Sequence, residues 1–138
     1  MLLQHFECDF LKSVADQVLD AARRVHEEHG PSQDKAACLE HLCHELELRE
    51  IPCAKGIWQP EKYAGIDLNV GNVLDLVVDG SLIVMVAAQA RVRHEDELQL
   101  GHLLCLSGHR AALLLNFGAP IFEQGIRRLG VEDEARQH

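Results

Sequence analysis

A chain of 138 residues is the length of one ordinary domain and can bury a real core. Its 47% apolar fraction with only 4% aromatics calls for a core of Leu, Val, Ile and Ala, and no apolar run is long enough to span a membrane. A net charge of -9, from 22 acids against 13 bases, repels phosphate backbones unless the few bases gather on one face.

In chain order, Met1 to Glu7 lacks the basic segment, long apolar segment and small-residue cleavage site of a signal peptide, so a cytoplasmic location is expected. Over residues 10–29, Leu11, Val14, Val18, Leu19, Ala22 and Val25 recur at helical spacing, and Gly30-Pro31 stops the run. A second helix is expected from Ser32 or Asp34 to Arg49, with Cys38, Leu39, Leu42, Leu46 and Cys43 inward and Ile51-Pro52 ending it. Short strands are expected over residues 53–59, 63–68, 73–78 and 82–90. The last two are apolar nearly throughout, the pattern of strands covered on both faces, and Asp79-Gly80-Ser81 is a tight-turn signal between them.

A third helix over residues 95–106 offers Leu98, Leu100, Leu103, Leu104 and Leu106. A strand over 110–116 and a weakly alternating edge strand over 121–129 follow, then a polar, frayed tail at 131–138. Without repeat, linker or low-complexity segment, one α/β domain over residues 1–138 is the economical reading. The five cysteines, Cys8, Cys38, Cys43, Cys53 and Cys105, form no C-x-x-C pair and read as free thiols.

Several stretches taken in order resemble one known group. Val25-His26 before Gly30-Pro31, Tyr63-Ala64-Gly65 and Gly71, Asp75, Gln99-Leu100, and Leu114-Leu115-Asn116-Phe117-Gly118 together resemble the small GxxExxY proteins of the PD-(D/E)xK nuclease superfamily, over about residues 18–129. The resemblance implies a restriction-endonuclease-like α/β core, a central mixed β-sheet flanked by α-helices. It also implies a metal-binding carboxylate at Asp75 and an E-x-K pair on the next strand.

The departures fall on the chemistry. The glycine, glutamate and tyrosine positions of the naming motif hold Ser32, Lys35 and Cys38, the E-x-K positions hold Met85 and Ala87, and the helical tyrosine position holds Leu103. A thioether is a poor substitute for oxygen around Mg²⁺, and a methyl group is neither cation nor base. Of the polar site only Asp75 and Gln99 survive, as vestiges. No catalytic residue and no cofactor is therefore expected, and the cleft is expected to be apolar, filled by the chain's own side chains or covered by a partner.

The leading expectation is a catalytically inactive, nuclease-like protein-binding or self-assembly module whose partner is another protein or a second copy of itself in a homo-oligomer. An alternative is a divergent Mg²⁺- or Mn²⁺-dependent nuclease using Asp75 and Gln99 with a carboxylate relocated to Glu45, Asp79, Glu95 or Glu97, and Arg91 or Arg93 as cation. A second alternative is a non-catalytic nucleic-acid binder with a patch of Arg23, Arg24, Arg91, Arg93, His94 and Arg110. For a transition metal, the candidates are Asp75, His102, Cys105 and His109, the last three spaced i, i+3, i+7, or Cys38, His41 and His44. No metal is expected.

Overall fold

The computed structural model describes residues 2–3 and 9–131. The elements run β1 (Leu2–Leu3), α1 (Asp9–His29), α2 (Lys35–Leu48), β2 (Cys53–Tyr63), β3 (Ile66–Val78), β4 (Leu82–Ala87), α3 (His94–Ser107), β5 (Ala111–Asn116), a 3₁₀ turn (Phe122–Gly125) and β6 (Ile126–Val131). The strands form one mixed sheet in the order β1-β6-β5-β4-β3-β2. Among the described strands only β4 and β5 are parallel, in register from Leu82↔Ala111 to Ala87↔Asn116, with α3 as the crossover that a parallel pair requires.

Helical spacing gives α1 one apolar stripe, and Leu11, Val14, Val18, Leu19, Ala22 and Val25 are all buried. Gly30, at φ 69°, closes the helix by donating to His26 O at 2.7 Å, the left-handed ending that glycine favours. Asp34 caps α2 by accepting from Ala37 N at 3.1 Å. Together α1 and α2 cover one face of the sheet, packing on Leu76, Val78, Val84, Val86, Leu113 and Leu115. On the other face, Leu100, Leu103 and Leu104 of α3 pack on Leu74, Ile83, Ala112 and Leu114. The α/β core with a mixed sheet between helices is thus the one expected.

Five of the expected strands need correction. Residues 53–59, 63–68 and 73–78 are parts of one long hairpin, β2–β3, which turns at Ala64-Gly65 with φ 51° and 80°, the backbone of a two-residue I′ turn. The strand predicted to reach residue 90 stops at Ala87, because Gln89 hydrogen-bonds the Asn116 side chain instead of a neighbouring strand. Residues 122–125 form a 3₁₀ turn, so β6 starts only at Ile126. Moreover β6 is not an edge among the described residues, since Leu2–Leu3 pairs outside it; the long edge strand is β2. Residues 132–138 of the expected tail, and Cys8, lie outside the described residues, while Val131 closes β6.

Candidate functional site

Asp75 sits at a fork in the sheet. The β3–β4 ladder runs from Val78↔Leu82 to Leu76↔Val84 and stops there, while on the other side β2 and β3 pair at Lys55↔Leu76 and Ile57↔Leu74 but skip the intervening position. Gly56, the residue skipped in β2, has φ 68°. Past the fork, the Asp75 carboxylate takes the place of a ladder carbonyl: Oδ2 accepts the Val86 N–H at 2.8 Å. The Asp75 N–H in turn points at Met85 Sδ at 3.4 Å.

The same Oδ2 lies 3.1 Å from the Lys35 ammonium. Lys35 is the first residue of α2, where the helix dipole disfavours a cation by about 0.3–1 kcal/mol. The ion pair offsets that placement and gives the carboxylate, whose side chain is only 10% exposed, the partner that a buried charge requires. An ammonium thus sits against the carboxylate at the point where a divalent ion would have to approach.

Beside this pair is a pocket of about 360 Å³ with a floor of Met85, Ala87, Leu100, Leu103 and Leu114 and polar groups from Lys35, Gln89, Asp96 and Gln99. Its floor is apolar, and it is open rather than filled by the chain's own side chains. Its volume is at the small end for ligand sites, room for one or two apolar side chains. Gln99 lines it, but its amide donates to Asn72 Oδ1 at 3.1 Å, so the two vestigial residues are not joined to each other.

The pocket's far wall is fixed by a clip that sequence reasoning missed. Asn116, fully buried at the end of β5, accepts from Gln89 N at 3.0 Å and Gly118 N at 3.1 Å and donates to Gln89 O at 2.9 Å. Gly118 is required by this approach: a Cβ there would stand 2.1 Å from Gln89 O. Gln89 also donates to Asp96 Oδ2 at 2.5 Å, and that oxygen reaches back to the Arg93 N–H at 2.8 Å at the start of α3. Burial pushes the Asp96 carboxyl up, but the hydrogen bonds from Arg93 and Gln89 outweigh it and hold the group below the usual aspartate value. A polar residue ending an all-apolar strand was the available signal for Asn116.

None of the four candidates for a relocated carboxylate lines the pocket beside Asp75 and Lys35. Glu45 pairs with Arg49 at 2.8 Å and Glu97 with Arg127 at 2.5 Å; Glu95 stands 3.7 Å from Arg93; and Asp79 lies in the β3–β4 turn with its N–H on Pro52 O. The proposed metal spacing also comes apart. Helix α3 ends at Ser107 with Gly108 at φ 77°, before His109, and His102 turns to Glu61 at 2.9 Å. His41 stacks on His29, and Cys38 is buried in the core. Among the described residues no three His, Cys, Asp or Glu side chains gather as a metal site.

Most of the basic patch of the nucleic-acid alternative is paired with acids. Arg23 is on Glu123 at 2.8 Å, Arg24 on Glu28 at 2.9 Å, Arg93 on Asp96 at 3.3 Å and His94 3.8 Å from Glu97, while Arg110 is engaged as well. No helix among the described residues is long and apolar enough to cross a membrane.

Helices on both faces of a mixed sheet, with an aspartate at the fork of its central hairpin, define a nuclease-like α/β domain. A family model described as the PD-(D/E)XK nuclease superfamily matches residues 12–129, and the chain belongs to that superfamily. No curated protein and no solved structure matches it.

Proposed function

We propose that this chain is a catalytically silent PD-(D/E)XK domain of the GxxExxY group, working as a protein-binding and assembly module. The observation that carries the reading is the Lys35 ammonium 3.1 Å from Asp75 Oδ2, facing Met85 and Ala87 where the superfamily keeps an acid and a lysine. A one- or two-metal phosphodiesterase needs several oxygen ligands around its ion, and here the one carboxylate at the fork is already paired. The cleft that remains is apolar and suits a side chain of a partner better than a phosphate.

The same ion pair favours one second reading, a nuclease whose lysine has moved from the strand to α2. One experiment separates them: plasmid, single-stranded DNA and RNA incubated with the native chain and Mg²⁺ or Mn²⁺. Intact nucleic acid in every case is expected. Mn²⁺-dependent cleavage that disappears in Asp75→Ala would overturn the proposal and establish the moved-lysine nuclease.

A further inference from the structure

We infer that Cys43 and Cys53 are a redox modification site, a thiol pair that closes to an intramolecular disulfide by exchange with a low-molecular-weight disulfide and so fastens α2 to the first residue of β2.

The fold brings the two residues together from separate elements. Helix α2 ends at Leu48, and the chain reverses through Arg49-Glu50-Ile51-Pro52. The reversal is held by backbone bonds from Ile51 N to Leu46 O at 2.9 Å and from Asp79 N to Pro52 O at 2.7 Å, with Glu50 at φ 58°. Strand β2 then runs back along α2, its backbone fixed from the start by the pairing Cys53↔Val78. Further along, Lys55 of β2 pairs with Glu40 of α2. Residues three apart on a helix and two apart on a strand share a face, so the contact that joins Glu40 to Lys55 sets Cys43 opposite Cys53. Both thiols line one pocket of about 370 Å³, with Glu47, Ile51, Pro52 and Lys55, close enough for their side chains to interact. Of the other described cysteines, Cys38 is buried in the core and Cys105 stands exposed on α3, across the sheet.

Accessibility sets the order of events. Cys53 is exposed and Cys43 half-buried, so a disulfide in solution meets Cys53 first. The Cys53 thiolate attacks one sulfur of the small disulfide, forming a mixed disulfide and releasing one small thiolate. The Cys43 thiolate then attacks the Cys53 sulfur and releases the second. Two protein thiols are thereby oxidised, one small disulfide is reduced to two thiols, and the two protons lost by the protein end on those thiols. Burial raises both protein thiols above the usual cysteine value, which keeps the pair protonated and makes closure slow at neutral pH. Once the mixed disulfide has formed, the fixed backbones favour attack by Cys43 over attack by a thiol from solution. The closed bridge constrains the unfolded chain between residues 43 and 53, and it ties the helix that carries Lys35 to the hairpin that carries Asp75.

The test is equilibration of the native chain in glutathione buffers from fully reduced to fully oxidised, followed by acid quench, intact mass and a non-reducing peptide map. Expected in the oxidised buffers is a single chain lighter by two hydrogen atoms, with Cys43 joined to Cys53, formed faster as pH rises and reopened by dithiothreitol. Its melting temperature is expected to exceed that of the reduced chain by several degrees. Cys43→Ser is expected to stop at the mixed disulfide, with one glutathione on Cys53, and Cys53→Ser to form no bridge at Cys43, both variants being checked by circular dichroism. A native chain that keeps its dithiol mass, that carries glutathione on Cys53 without closing, or that closes through Cys8, Cys38 or Cys105 would overturn the assignment, as would a Cys43–Cys53 bridge that lowers the melting temperature. Each of these outcomes is read on the native chain, whether or not the variants fold.

Discussion

Lys35 of α2 holds its ammonium 3.1 Å from Asp75 Oδ2, so the position that the family resemblance gives to a glutamate carries the opposite charge. The pair satisfies a nearly buried carboxylate and at the same time repels a divalent ion. Reversing that charge is the sharpest way to ask whether the site can still be a metal site. Lys35→Glu sets a second carboxylate against Asp75, and like charges at this distance disfavour the fold by on the order of 1 kcal/mol, the lysine being half exposed. Millimolar Mn²⁺ is expected to restore that loss by binding the folded state. Melting temperatures with and without Mn²⁺ check it: the native chain shows no shift and Lys35→Glu a rise of several degrees.

The Asn116 clip gives a larger effect. Its amide makes three hydrogen bonds with no exposure to water, and removing it strands the Gln89 N–H and C=O beside a hole. Asn116→Ala is expected to cost about 2–4 kcal/mol in urea unfolding, with Asn116→Asp no better, since the amide donor to Gln89 O is lost.

Much of the scaffold was legible because its signals are local. The 3.6-residue recurrence from Leu11 to Val25 and the Gly30-Pro31 stop are enough for α1, and the apolar runs flanking Asp79-Gly80 suffice for the β3–β4 hairpin. The β2–β3 hairpin was not legible as one element: its distal part is exposed on both faces, so no inward-outward alternation marks its strands, and its I′ turn sits at Ala64-Gly65 without the usual Asn or Asp. In the site, the sequence pointed to Asp75, Gln99, Met85 and Ala87 through the hairpin and the resemblance. It could not reveal that Lys35 pairs with Asp75, because that contact joins distant elements; the one hint was a cation at a helix start, where the dipole opposes it.

Asp96 predicts a pH dependence. Its carboxyl is held below the usual aspartate value by Arg93 and Gln89 against the effect of burial, so folding favours the ionised form. The stabilisation is present above the unfolded-state value and is lost as pH falls through the lower folded value. Asp96→Asn is therefore expected to be less stable than the native chain by about 1–2 kcal/mol at neutral pH. The gap should narrow in melts taken below about pH 3; a gap independent of pH would assign the loss to packing.

The thiols of Cys43 and Cys53 give the last prediction. They lie together where α2 meets the start of β2, beside Lys55 and Glu47, close enough for their side chains to interact. Burial, with the neighbouring Cys53 adding to it, pushes Cys43 up to about 11, and burial also raises Cys53, although the bond from Cys43 acts to lower it. Alkylation proceeds through the thiolate, so Cys43 is expected to resist iodoacetamide at neutral pH and to react only as the solution approaches its raised value. Peptide mass spectrometry after timed labelling at several pH values measures this site by site. Cys53→Ala removes the neighbouring thiol whose proximity adds to the effect of burial on Cys43, and is expected to speed labelling of Cys43 at a given pH; unchanged labelling would mean that burial alone protects it.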